Sequence, residues 1–121
     1  ENKVWLLAVS HKLGLPTGTE LSKNILYLQL DDYKTKIKSQ ADAAKIKTLI
    51  NTAPEDLEYD FIVEKGSQLG LVIVAPDKSR MIDGVVVGTT IDDLKTNLKQ
   101  DRYLDSYVSL RNKVYQKYNI Q

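Results

Sequence analysis

A stiff apolar run, a proline turn, a second apolar run and a capped helix start follow one another in Leu69–Leu98 (LGLVIVAPDKSRMIDGVVVGTTIDDLKTNL), and that order leaves few ways to fold. Leu71–Ala75 is continuously apolar and rich in β-branched residues, which suits a strand covered on both faces. Pro76-Asp77-Lys78-Ser79 marks a turn, because proline presets φ and aspartate tolerates turn geometry. Val85-Val86-Val87 returns to strand material, and Gly88 releases the chain. Thr90 and Asp93 then have the spacing of a capping box, in which hydroxyl and carboxylate each take a backbone N–H.

The flanks are read by periodicity. Residues 1–13 support a buried strand over Lys3–Ser10 or a helix. Punctuation favours the helix, with Gly14 at a left-handed end position, Leu15 as its apolar contact and Pro16 preventing continuation. Residues 14–23 form a loop; its Leu15-Pro16-Thr17-Gly18-Thr19 resembles a sortase sorting signal but lacks the spacing and the apolar tail. Asn24–Leu30 alternates and predicts a strand with Leu26, Leu28 and Leu30 towards the core. Asp31 and Asp32 then cap a helix over Tyr33–Ile50, whose stripe is Tyr33, Ile37, Ala41, Ala44, Ile46, Leu49 and Ile50. Asn51 and Pro54 end it. Glu58–Glu64 alternates again, with Tyr59, Phe61 and Val63 on one face, and predicts a half-exposed strand. With the strands of the central stretch it would make an antiparallel meander. Asp83-Gly84 reads as a bulge in its third strand. Ile91–Leu98 is a short helix, and Asp101 caps a final one over Arg102–Tyr118 with Leu110 and Val114 in its stripe. The fold expected is a single α+β domain over residues 1–121, with an antiparallel sheet of about four strands and helices packed mainly on one face.

Composition removes several classes of function. The chain has 121 residues, enough for one core, and 42% hydrophobic with 27% charged residues is ordinary for a folded domain. Seventeen basic and sixteen acidic residues leave a net charge of +1, which gives no general pull towards nucleic acid or anionic membrane. Absence of cysteine removes disulfides, thiol nucleophiles and thiolate metal sites. No apolar run reaches the roughly 18 residues of a bilayer span. The chain begins at Glu1 rather than Met, so a processed or a trimmed chain is expected, and a cell-envelope or secreted location is slightly favoured over the cytoplasm. Lysine, asparagine, isoleucine and tyrosine usage fits an AT-rich bacterium or its phage.

Chemistry is sparse. The single histidine, His11, follows Ser10, and no nucleophile elbow is present, so no catalytic residues are assigned and no enzyme is expected. Asp31-Asp32 and Asp92-Asp93 lack calcium-loop spacing and sit at expected helix starts, so neither metal nor cofactor is expected. Three functional readings remain. The first is a non-enzymatic protein-interaction domain: an inhibitor, immunity or adaptor protein, or the domain of an envelope-associated protein. Its partner is another protein or a second copy, contacted through Tyr103, Tyr107, Tyr115 and Tyr118, since tyrosine is enriched at interfaces. The second is anion or small-ligand binding at Gly88, Thr89 and Thr90, where a strand leads into a helix start, against the negative charge of Asp92 and Asp93. That junction resembles one in small bacterial envelope lipoproteins of the BamE type, over a dozen residues and with no function implied. The third, disfavoured, is nucleic-acid binding through Lys34, Lys38 and Lys45 on one face of the 33–50 helix.

Overall fold

The computed structural model describes residues 2–36 and 40–120, with side chains there except at 40–42 and 50. It is of the α+β class, with a three-stranded antiparallel sheet. Its contacts divide the chain into two compact units, Glu1–Glu58 and Tyr59–Gln121.

The first unit is helical. α1 spans Lys3–Lys12, and the side chain of Asn2 accepts from the Trp5 N–H at 2.7 Å to cap it. Leu6 to Ser10 are all buried, so α1 is apolar nearly all round. That is why the stretch also reads as a buried strand. Its end follows the expected punctuation. Gly14 takes φ +74, the Leu15 N–H reaches the Ser10 carbonyl at 2.9 Å, and the helix closes in a Schellman motif.

α2 spans Lys23–Thr35 and α3 spans Gln40–Asn51. Two expectations fail here. Asn24–Leu30 is not a strand; it belongs to α2, capped by the Ser22 hydroxyl, which accepts from the Ile25 N–H at 3.2 Å. Helical rotation buries Leu26 and Leu30, four apart, and turns Leu28 out to 64% exposure. The expected helix over 33–50 is two helices, and Asp31 and Asp32 lie inside α2 rather than at a cap. Ile37 and Lys38 lie outside the described residues, as do the side chains of Ala41 and Ile50.

α4 spans Pro54–Gln68, so Glu58–Glu64 is helical too. Pro54 sits at the first helical position, where its missing N–H costs nothing, with Glu55 and Asp56 in the first turn. Phe61, Ile62 and Val63 are all buried, which no half-exposed strand permits. Gly70 at φ +76 ends α4 in a second Schellman motif, with the Leu71 N–H to the Gly66 carbonyl at 2.9 Å.

In the second unit the sheet is β1 (Ile73–Val74), β2 (Arg80–Ile82) and β3 (Val85–Gly88), in that order. It has three strands among the described residues, not about four, because the two further segments expected to be extended are helical. α5 follows at Ile91–Asn97, then a 3₁₀ turn at Asp101–Tyr103 and α6 at Leu104–Lys117. Asp101 opens that turn and does not cap α6, whose N-cap position is Tyr103 with no side-chain hydrogen bond. The core holds Phe61, Leu94, Leu110, Val114 and Tyr118, with the Phe61 and Tyr118 rings 5.7 Å apart. Gly66 lets α4 approach α6 closely: a Cβ there would lie 2.7 Å from Leu110 Cδ1.

Candidate functional site

The sheet is built by two turns. In the first, the Lys78 N–H donates to the Ala75 carbonyl at 2.8 Å, and the Asp77 carboxylate accepts from the Ser79 N–H and hydroxyl. Those bonds hold Asp77 below the usual carboxylate range. The second turn is Asp83-Gly84, both at positive φ (52 and 80), the signature of a two-residue primed hairpin. It joins β2 to β3, so these residues form a turn and not the expected bulge. The bulge lies between the Arg80 and Met81 pairings, where Val87 is the extra residue of β3. The Val87 carbonyl accepts from Asn97 Nδ2 of α5 at 2.7 Å.

Register then decides which side chains share a face. Ile73 pairs with Met81, and Met81 with Val86, so the three form a row across the sheet. Ile73 is 59% and Val86 52% exposed, and Val74 and Val85 are about half-exposed as well. From the same strands Ile82 and Val87 are fully buried. Leu71–Ala75 is therefore not a strand covered on both faces: only Ile73 and Val74 are extended, in a short edge strand. Val74 and Val85 alternate to the other face, Val85 being paired with buried Ile82, so the exposed branched residues of the row are Ile73 and Val86. Exposed apolar side chains in a contiguous row are of the kind that marks interaction sites.

Charged groups fix the rim. Asp83 accepts from Lys113 Nζ and Ser109 Oγ of α6, which hold its carboxyl low and tie the hairpin to that helix. Arg80 Nε donates to the Thr89 carbonyl at 3.1 Å. A second cluster joins α4, α5 and α6. The Tyr59 ring stacks on Tyr107 at 5.2 Å, Lys99 Nζ lies 4.9 Å from the Tyr59 centroid, and the Tyr59 hydroxyl donates to the Lys95 carbonyl at 2.6 Å. Burial, with Tyr107 and Asp60 nearby, pushes the Tyr59 phenol up to about 12. Burial works against the charge on Lys95, yet Glu64 at 3.1 Å and Asp60 at 3.7 Å outweigh it and its pKa is raised.

The sequence-derived candidates are distributed unevenly. Tyr118 is fully buried, Tyr107 is engaged with Tyr59, and Tyr103 and Tyr115 are half-buried beside the guanidinium groups of Arg102 and Arg111. Gly88, Thr89 and Thr90 do form a strand–helix junction, and the capping box is present. The Thr89 and Thr90 N–H groups and the Thr89 hydroxyl all donate to Asp93 Oδ2, so the protein's own carboxylate takes the place of an external anion. Thr89 accordingly holds the Asp93 carboxyl low. Gly88 is required by close approach, since a Cβ would lie 2.7 Å from Asp93 Cβ. Lys34 is on α2 and Lys45 on α3, so the shared basic face of one helix does not exist; Lys38 lies outside the described residues. Ser10 is buried and His11 half-buried at successive positions of α1. Among the described residues there is no group of three or more His, Cys, Asp or Glu able to hold a metal ion, and no helix long and apolar enough to cross a membrane.

Sequence reasoning missed Ile73, Met81 and Val86 as a surface. Asp83-Gly84 between Met81-Ile82 and Val85-Val86-Val87 was the available signal, because a two-residue hairpin sets the register that aligns them. Compared with known proteins, the chain matches no family model, and no curated protein or solved structure is significantly similar to it.

Proposed function

We propose that the protein is a non-enzymatic interaction domain that docks another polypeptide, or a second copy of itself, on the apolar sheet face of Ile73, Met81 and Val86. The observation that carries this reading is the half-exposure of Ile73 and Val86 in one cross-strand row with Met81, one residue away from fully buried Ile82 and Val87. Water-exposed branched side chains gain roughly 25 cal/mol for each Å² they bury on docking. The reading keeps the expectation that helices cover mainly one side of the sheet. It also moves the working surface away from the tyrosines of α6, whose rings serve the core and its edge. Inhibitor, immunity, adaptor or envelope-associated roles all fit such a domain.

The test is light scattering after size exclusion over a concentration series, with a pull-down alongside. Wild type is expected to run as a dimer or in a stoichiometric complex. The double variant Ile73→Lys/Val86→Lys is expected to lose that association with its fold intact. A wild-type monomer at every concentration with no specific partner overturns the reading, as does association that the double variant retains.

A further inference from the structure

The helical unit contains a cavity of about 130 Å³ between α1, α2 and α3. Its apolar wall includes Trp5 and Val9 of α1, Leu30 of α2, and Ile46 and Leu49 of α3. Tyr27 and Tyr33 add aromatic surface, and Asp31 and Lys34, three apart on α2, supply one acceptor and one donor at the same cavity. Apolar cavities of roughly 150 Å³ hold a single benzene-sized ring. Aromatic walls favour an aromatic occupant through offset or edge-to-face contacts, and a few polar groups in an otherwise apolar site fix orientation. From these features we infer that the cavity is a binding site for a single-ring aromatic molecule carrying one small polar substituent, with the ring among Trp5, Val9, Leu30 and Leu49 and the substituent towards Asp31 and Lys34.

The chain's only tryptophan is in the wall, so its fluorescence reports on the cavity directly. The whole chain is titrated with p-cresol and with toluene, following Trp5 emission and binding heat. For p-cresol, saturable binding with a dissociation constant on the order of 0.1–1 mM is expected, and toluene should bind several-fold more weakly. Ile46→Phe and Leu49→Phe fill the space and should each lose binding while keeping helical circular dichroism. Thr96→Lys, at an exposed position of α5, should leave binding unchanged. No saturable change at millimolar p-cresol overturns the inference, and so does binding that survives in both filled variants. Equal binding of toluene overturns the role given to Asp31 and Lys34. Failure here leaves the sheet-face reading intact, because the two rest on different residues and different readouts.

Discussion

The two units dispose of their apolar residues in different ways. In Glu1–Glu58, α1 is buried nearly all round, and the wall residues of α2 and α3 face a cavity. In Tyr59–Gln121, α4, α5 and α6 bury large side chains, with Phe61, Leu110 and Tyr118 at zero exposure, while the sheet leaves Ile73 and Val86 of one cross-strand row half-exposed. A helix carries its apolar stripe on part of its circumference and can hide it among other helices. Strands of two to four residues give each side chain few neighbours to cover it, and Ile73 and Val86 stay half-exposed. The exposed apolar row therefore falls on the strands, and the cavity falls among the helices of the first unit.

Three substitutions or conditions can break this contrast. The largest effect is expected from Phe61→Ala, which empties the centre of the second unit and should cost about 3–5 kcal/mol in urea unfolding. A loss below about 1 kcal/mol would mean that the helices do not close around Phe61 as described. Next comes the comparison within β3. Val87→Ala removes a fully buried side chain and should cost about 2 kcal/mol, whereas Val86→Ala one residue earlier should stay within about 0.5 kcal/mol. Equal costs would mean that Val86 is covered as well as Val87 is.

The smallest effects are at the pH extremes. The folded protein holds Asp77, Asp83 and Asp93 below their ordinary 3.8, so their contribution is present above about pH 4 and is lost as pH falls through the depressed values. Tyr59 has the opposite sense. Its phenol rises from 10.0 to about 12 in the folded state, so the stability it contributes is present below pH 10 and fades as pH climbs towards 12. Thermal melts across both limbs should show Asp83→Asn flattening the acid side and Tyr59→Phe the alkaline side. Unchanged limbs would contradict the ties of Asp83 to α6 and of Tyr59 to α5.

Legibility in the sequence followed the range of the interactions involved. The Thr90–Asp93 capping box and the Gly14 helix end are local, made by residues three to five apart, and both were readable. Asn24–Leu30 and Glu58–Glu64 were misread because seven alternating residues also satisfy a helix: Leu26 with Leu30, and Leu57 with Phe61, are four apart. The signals that would have corrected them lay just outside, in Ser22 as a cap, in Pro54-Glu55-Asp56 as a first turn, and in Gly70 as a left-handed end. Asp83-Gly84 reads as a bulge because glycine takes φ > 0 within an expected strand, and the same positive φ serves a two-residue hairpin turn equally well. The apolar runs of the sheet were equally visible. Their exposure was not, since it depends on what covers each face, and no residue of β1 or β3 encodes that.

The central claim is that the row of Ile73, Met81 and Val86 is where a second polypeptide sits. It is tested most directly by placing a photoreactive side chain at Val86 and, as a control, at exposed Thr96 of α5, then irradiating the chain in its native setting or at high concentration. The account predicts a discrete cross-linked product from position 86, to a defined partner or a second copy, and none from position 96. Cross-linking absent at 86, or equal at both positions, would contradict it.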